Sequence, residues 1–132
     1  MFIKITTLNG GNQLIRTSKI VRFRPTFGSF EPPNASVIDY KKRIYSADTP
    51  ATIANKIGTD LPLAELTTPN NLVLFIDAGK VDDIADPIPG HHHPKARSVI
   101  GLSGVRAQVR ETPNQAKRKI EEALDGSDAP SA

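Results

Sequence analysis

Three groups of residues have the types and spacing to do chemistry. His91-His92-His93 lies between Pro89 and Pro94. Adjacent imidazoles bind divalent metals through their ring nitrogens, most effectively where subunits meet. Three consecutive side chains in one loop do not converge on a single ion, and Asp86 adds no rigid spacing. His91, His92 and His93 therefore read as a solvated or interface loop, and no metal site is expected. In the second group, Arg22 and Arg24 flank Phe23, so a strand there turns both cations away from the core. Lys41, Lys42 and Arg43 crowd the next turn, with Phe27, Phe30 and Tyr40 near in sequence. Together they form a candidate anion or nucleic-acid surface with stacking aromatics. The plainer alternative is a solvated strand face whose lysines discourage aggregation, and the small charge excess favours it. Phe27 and Phe30 also belong, with the histidines, to candidate interface loops. The third group, Asp77, Asp82, Asp83 and Asp86, lacks the spacing of a calcium loop. It reads as surface charge or as a complement to the basic group.

No nucleophile is paired with a base, and Gly10-Gly11 has neither the length nor the lysine of a phosphate loop. The chain is expected to be non-enzymatic, with no catalytic residue, no cofactor and no small-molecule substrate. The absence of cysteine excludes disulfides, thiolate zinc and a cysteine nucleophile. It suits a reducing compartment. No apolar run approaches the length of a membrane span, and Met-Phe-Ile-Lys-Ile opens directly into strand alternation rather than a signal peptide. A cytoplasmic location, or a place within a virion, is expected.

What must position these groups is a repeated unit. Asp48-Thr49-Pro50 leads to Lys56-Ile57 and Glu111-Thr112-Pro113 leads to Lys119-Ile120, an offset of 63. Thr6-Thr7, Asn9, Ile15 and Lys19-Ile20 match Thr67-Thr68, Asn70, Ile76 and Lys80-Val81 at 61, and Ser36-Val37-Ile38 matches Ser98-Val99-Ile100 at 62. Thr is a helix N-cap and Pro a first helical residue. Each copy should therefore end in a short helix, with Ile53, Ala54 and Ile57 on one face of the first, and Ala116, Ile120, Ala123 and Leu124 on the second. The remainder alternates as strands. A hairpin turns at Asn9–Asn12, and Gln13 to Arg24 is bent near Thr17-Ser18. Ala35–Tyr40 and Arg43–Ala47 form a second hairpin across Lys41-Lys42. The second copy gives Leu72–Asp77, Lys80–Ala85, Arg97–Leu102 and Val105–Arg110, turning at Ser103-Gly104. Two proline-rich loops, 25–34 and 87–95, interrupt the copies at corresponding places.

The expectation is a mainly β chain with short helices: two tandem small SH3-like β-barrel units, each ending in a short α-helix. Residues 1–60 form the first and 61–124 the second, with 125–132 a disordered tail. Residues 1–60 hold nine Lys/Arg against four Asp/Glu, and residues 61–132 eight against ten. One half is basic (+5) and the other acidic (−2). Such asymmetry suits head-to-tail association or an anionic partner.

Thr7-Leu8-Asn9-Gly10 and Asp48-Thr49-Pro50 through Lys56-Ile57, within this order of strands, resemble the short flagellar-operon proteins of the FlbD type. The chain is also similar to Sm-like and phage-encoded small barrels, without the RNA-binding signatures of the Sm family. The resemblance implies a small, non-enzymatic, oligomeric or structural protein. The leading expectation is a structural or adaptor protein that self-assembles or joins a larger assembly such as a phage virion. A nucleic-acid-binding module on the basic face is the alternative, and metal-dependent activity at the histidine loop the third.

Overall fold

The computed structural model describes residues 1–126 and is mainly β, with ten strands in three sheets and two helices. The first half runs β1 (Phe2–Thr6), β2 (Asn12–Arg16), a 3-10 turn (Thr17–Lys19), β3 (Arg22–Pro25), β4 (Ser36–Asp39), β5 (Arg43–Ser46) and α1 (Pro50–Ile57). The second half repeats that order with β6 (Leu63–Thr67), β7 (Val73–Asp77), a 3-10 turn (Ala78–Lys80), β8 (Val81–Ala85), β9 (Ser98–Leu102), β10 (Val105–Val109) and α2 (Pro113–Gly126).

Local chemistry accounts for most of these elements. In β1, Ile3 and Ile5 are buried while Phe2 and Lys4 face outward, the period-2 pattern of a half-buried strand. The bend expected near Thr17-Ser18 is the 3-10 turn that separates β2 from β3. Ser103 and Gly104 both take positive φ, 42° and 88°, as a two-residue hairpin turn requires. The β4–β5 turn is one residue longer than Lys41-Lys42, because Asp39 pairs with Arg43 and leaves Tyr40, Lys41 and Lys42 between them. One strand, β6, has no counterpart in the sequence reading. Its residues Leu63-Ala64-Glu65-Leu66-Thr67 carry helix-forming types, which mask a real alternation in which Ala64 and Leu66 are buried. Asp125 and Gly126, expected in the tail, belong to α2, and residues 127–132 lie outside the described residues.

Two hydrophobic cores form, one chiefly from each half. Ile3, Ile5, Ile15, Ile20, Phe23, Ile38, Ile44, Ile53 and Ile57 make the first. Leu66, Leu74, Ile76, Ile100, Leu102, Val109, Ala116 and Ile120 are among the second. The halves meet in a five-stranded sheet of order β5-β4-β3-β7-β6, where β3 of the first half pairs antiparallel with β7 of the second. Across this seam Arg22 opposes Ile76 and Phe23 opposes Phe75. The two phenyl rings stack with centroids 5.1 Å apart. Among the described residues no helix is long and apolar enough to cross a membrane.

Candidate interaction surfaces

The motif that ends each copy is a structural latch. Asp48 Oδ2 accepts the Thr6 amide at 3.0 Å and Lys56 Nζ at 3.1 Å, while the Ala47 amide donates to the Thr6 carbonyl at 2.9 Å. In the second half the Glu111 carboxylate accepts the Thr67 amide at 2.9 Å and Lys119 Nζ at 3.1 Å, and the Arg110 amide donates to the Thr67 carbonyl at 2.8 Å. The first strand of each half is thereby tied to its last strand and its helix. Ser36 Oγ and Ser98 Oγ donate to the carbonyls of Asp48 and Glu111. The serines and the acid-plus-lysine pair were visible as repeated letters; their joint role needed three dimensions. Thr49 Oγ1 accepts the Thr52 amide and Thr112 Oγ1 the Gln115 amide, both at 3.2 Å, as N-caps do.

The basic face divides into a paired and an open part. Arg22 and Arg24 do point away from the core that holds Phe23, yet each is engaged. Arg22 Nε lies 2.5 Å from Asp39 Oδ2, and Arg24 makes a two-pronged contact with Glu31 at 3.0 Å on each prong. Arg43 bridges Glu31 at 3.3 Å and Asp39 at 3.5 Å. Three arginines and two acids thus alternate in one network, much of whose charge is internally balanced. The Arg24 guanidinium holds the Glu31 carboxyl below its usual value, against the opposing cost of burial. Lys41 and Lys42 are exposed. Lys19 adjoins Lys41, whose nearness lowers the Lys19 pKa, with Arg16 adding to the effect. The open positive charge is therefore centred on Lys19, Lys41 and Lys42 rather than on the arginines. Phe30 is wholly exposed, Phe27 half exposed beneath the Arg24 guanidinium at 5.4 Å, and the Tyr40 hydroxyl accepts the Arg16 amide at 3.0 Å.

The histidine loop is organised by its own backbone. His92 Nδ1 accepts the Ile88 amide at 2.7 Å and His93 Nδ1 the Lys95 amide at 3.0 Å. The His93 amide donates to Gln108 Oε1 at 2.7 Å. The His91 and His92 rings meet edge to face, with centroids 6.2 Å apart. Among the described residues no three His, Cys, Asp or Glu side chains converge as a metal set would. His93 also reaches a cleft of about 230 Å³ between the halves, which Arg22, Arg24, Phe27, Thr68 and Leu74 help to line. That volume is small beside the roughly 300–1,000 Å³ of typical small-molecule sites, whereas a hollow of about 540 Å³ lies within the loop itself, lined by Ile88, His92, His93 and its prolines.

The acidic group does not form one face. Asp77 is buried, pairs with Lys80 at 2.9 Å and caps the Gly79 amide, whereas Asp82, Asp83 and Asp86 are exposed. Asp83 lies 3.6 Å from Arg106 in a solvent-exposed contact, the kind worth little to stability.

Of the edge strands among the described residues, β1 and β5 are joined near their ends by the Ala47–Thr6 backbone bond and β6 and β10 by the Arg110–Thr67 bond, which leaves β2 and β8. Among the described residues β2 pairs with β1 alone and β8 with β9 alone. Leu14 on β2 is 65% exposed and its neighbour Phe2 on β1 57%. Exposed apolar side chains beside an unpaired edge are features that soluble proteins usually avoid unless the edge is used. No family model matches the chain, and no curated protein or solved structure matches it.

Proposed function

We propose that the chain is a non-enzymatic structural or adaptor protein that acts by associating with other protein subunits, either copies of itself or components of a larger assembly such as a phage virion. In this reading each half is a small SH3-like barrel, and the resemblance to FlbD-type and Sm-like small barrels points the same way. The observation that carries it is the seam. One copy of the repeated unit is joined to the other by strand pairing, Phe23 on Phe75, so unit-to-unit association through sheet edges is a mode this sequence already uses. The structural employment of Asp48, Glu111, Glu31 and Asp39 in latches and networks supports it as well. The test is the mass of the purified protein in solution, by light scattering across protein and salt concentration. A discrete multimer is expected. A monomer throughout, with no partner assembly recovered, would remove the reading.

One observation favours a second reading, a nucleic-acid-binding module in the first half. Lys19, Lys41 and Lys42 bring like charges together near a solvent-exposed hairpin, as phosphate-binding surfaces do. Retention on DNA that weakens steeply with salt, and falls in a K41E/K42E variant, is what that reading requires.

A further inference from the structure

Two of the edge strands among the described residues correspond to the two halves of the chain's own seam. By the offset of 61, β2 is the counterpart of β7 and β8 the counterpart of β3. The strands that pair inside the chain therefore have twins, one in each half, whose corresponding edges are open. Resting on the self-association reading above, we propose that β2 of one copy adds to β8 of the next in the register of the internal β7–β3 pair, giving a heterologous, head-to-tail assembly.

Of four contacts of the internal seam, three find suitable residues when transposed and the fourth does not. In backbone register, Arg22–Ile76 and Phe23–Phe75 become Asp83 opposite Ile15 and Ile84 opposite Leu14 of the neighbouring copy. The irregularity in β8 falls between Val81 and Asp83 and leaves Asp83 to Ala85 regularly extended. In apolar packing, Leu63 and Phe75 cross the seam to pack against the first core. Their counterparts are Phe2 and Leu14, the exposed apolar pair noted above. Leu14 would stand on Ile84 as Phe75 stands on Phe23, and Ile84 is itself only partly covered by the second core. For the lysine hook, Lys80 Nζ donates to the Ser18 carbonyl at 2.8 Å and the Ile20 carbonyl at 2.6 Å across the seam. Its counterpart Lys19 would reach the carbonyls of Gly79 and Val81, leaving the unfavourable company of Lys41. In the fourth, Arg22 donates to the Arg106 carbonyl at 2.9 Å. The residue in Arg22's place is Asp83 and the one in Arg106's place is Arg43, so a carboxylate would replace the donor to that backbone carbonyl and this contact has no counterpart between copies.

Charge also selects which edges meet. Arg16 lies on β2 with Lys4 one strand behind it, and Asp82 and Asp83 lie on β8, where Arg106 offsets Asp83 only through an exposed contact at 3.6 Å. Pairing β2 with β2 or β8 with β8 would set like charges against each other, whereas unlike edges attract. A contact between two different surfaces closes into a ring or runs on as a filament. One group must give way: the Tyr40 hydroxyl, which accepts the Arg16 amide that the Asp82 carbonyl would take over.

The absence of cysteine makes the test direct. Paired strands place opposed Cα atoms about 4.5–5.5 Å apart, within disulfide range. Separate Leu14→Cys and Ile84→Cys proteins, mixed and oxidised with oxidised glutathione, should give the mixed disulfide several-fold in excess of either homodimer. The L14C/I84C double variant should give a ladder of covalent multimers. Leu14 is solvent-exposed, and thermal melting of each variant serves to check that it is folded. Homodimers alone, or no link, would overturn the proposed seam. If the unaltered chain were still a multimer by light scattering, self-association would stand with a different interface. If it were a monomer at every concentration, both would fall.

Discussion

At the scale of single residues, the carboxylates of Asp48 and Glu111 hold equivalent latches, one in each half. Each binds a strand amide and a helix lysine from a site that is largely shielded from water. Burial works against the charged form of Asp48, but the Thr6 amide and the Lys56 ammonium outweigh it and hold the carboxyl below its ordinary value. A carboxyl whose pKa is lower folded than unfolded adds stability that is complete above the unfolded value. That stability disappears as pH falls through the folded value. Asp48 and Glu31 share this sign, so stability should fall as the solution is acidified below about pH 4. Asp48→Asn should cost about 1–3 kcal/mol at neutral pH by urea denaturation. The penalty should shrink in acid, where the native carboxyl has lost the same charge. A cost independent of pH would show that the latch does not rest on ionisation.

Among the elements, α1 has only eight residues and cannot persist alone. Its stability comes from burying Ile53 and Ile57 and from the Thr49 cap. Thr49→Ala should lower stability by about 1 kcal/mol, and Thr112→Ala by a similar amount, measured by thermal or urea unfolding. At the seam, Phe75→Ala should cost roughly 2–3 kcal/mol, less than the 3–5 of a fully buried phenylalanine because Phe75 is only partly covered. Elements of this kind were mostly legible in the sequence. Alternation about Ile3 and Ile5, the Thr-Pro helix starts and the Ser103-Gly104 turn are encoded within a few residues of one another. β6 escaped because Ala64 and Glu65 are poor strand formers, and the burial of Ala64 and Leu66 is set by the distant residues of the second core. The seam escaped for a deeper reason: nothing local in Phe23 or Phe75 records that they meet. The basic face was half legible, since strand alternation places Arg22 and Arg24 outward. Their partners Asp39 and Glu31 come from elsewhere in the first half and can be assigned only after folding.

For the whole molecule the question is whether two copies of a unit fold as two bodies or one. A unit of about 60 residues buries only some 60% of its unfolded surface and is marginal by itself. Here the cores exchange residues. Val21 of the first half packs on the second core, while Leu61, Leu63 and Phe75 of the second half pack on the first. The shared sheet makes loss of either core expose part of the other. Unfolding is therefore expected to be one cooperative transition, with probes in both halves coincident. Ile53→Ala, at a fully buried position of α1, should cost about 2–5 kcal/mol. If the halves are coupled, hydrogen exchange at Ile100 and Val109, both in the second core, should accelerate nearly as much as at Ile38 in the first. Acceleration confined to the first half would mean that the β3–β7 pairing is a joint between independent domains. The same pairing would then be too weak to build an assembly when repeated between chains, so this exchange measurement also bears on how the protein associates.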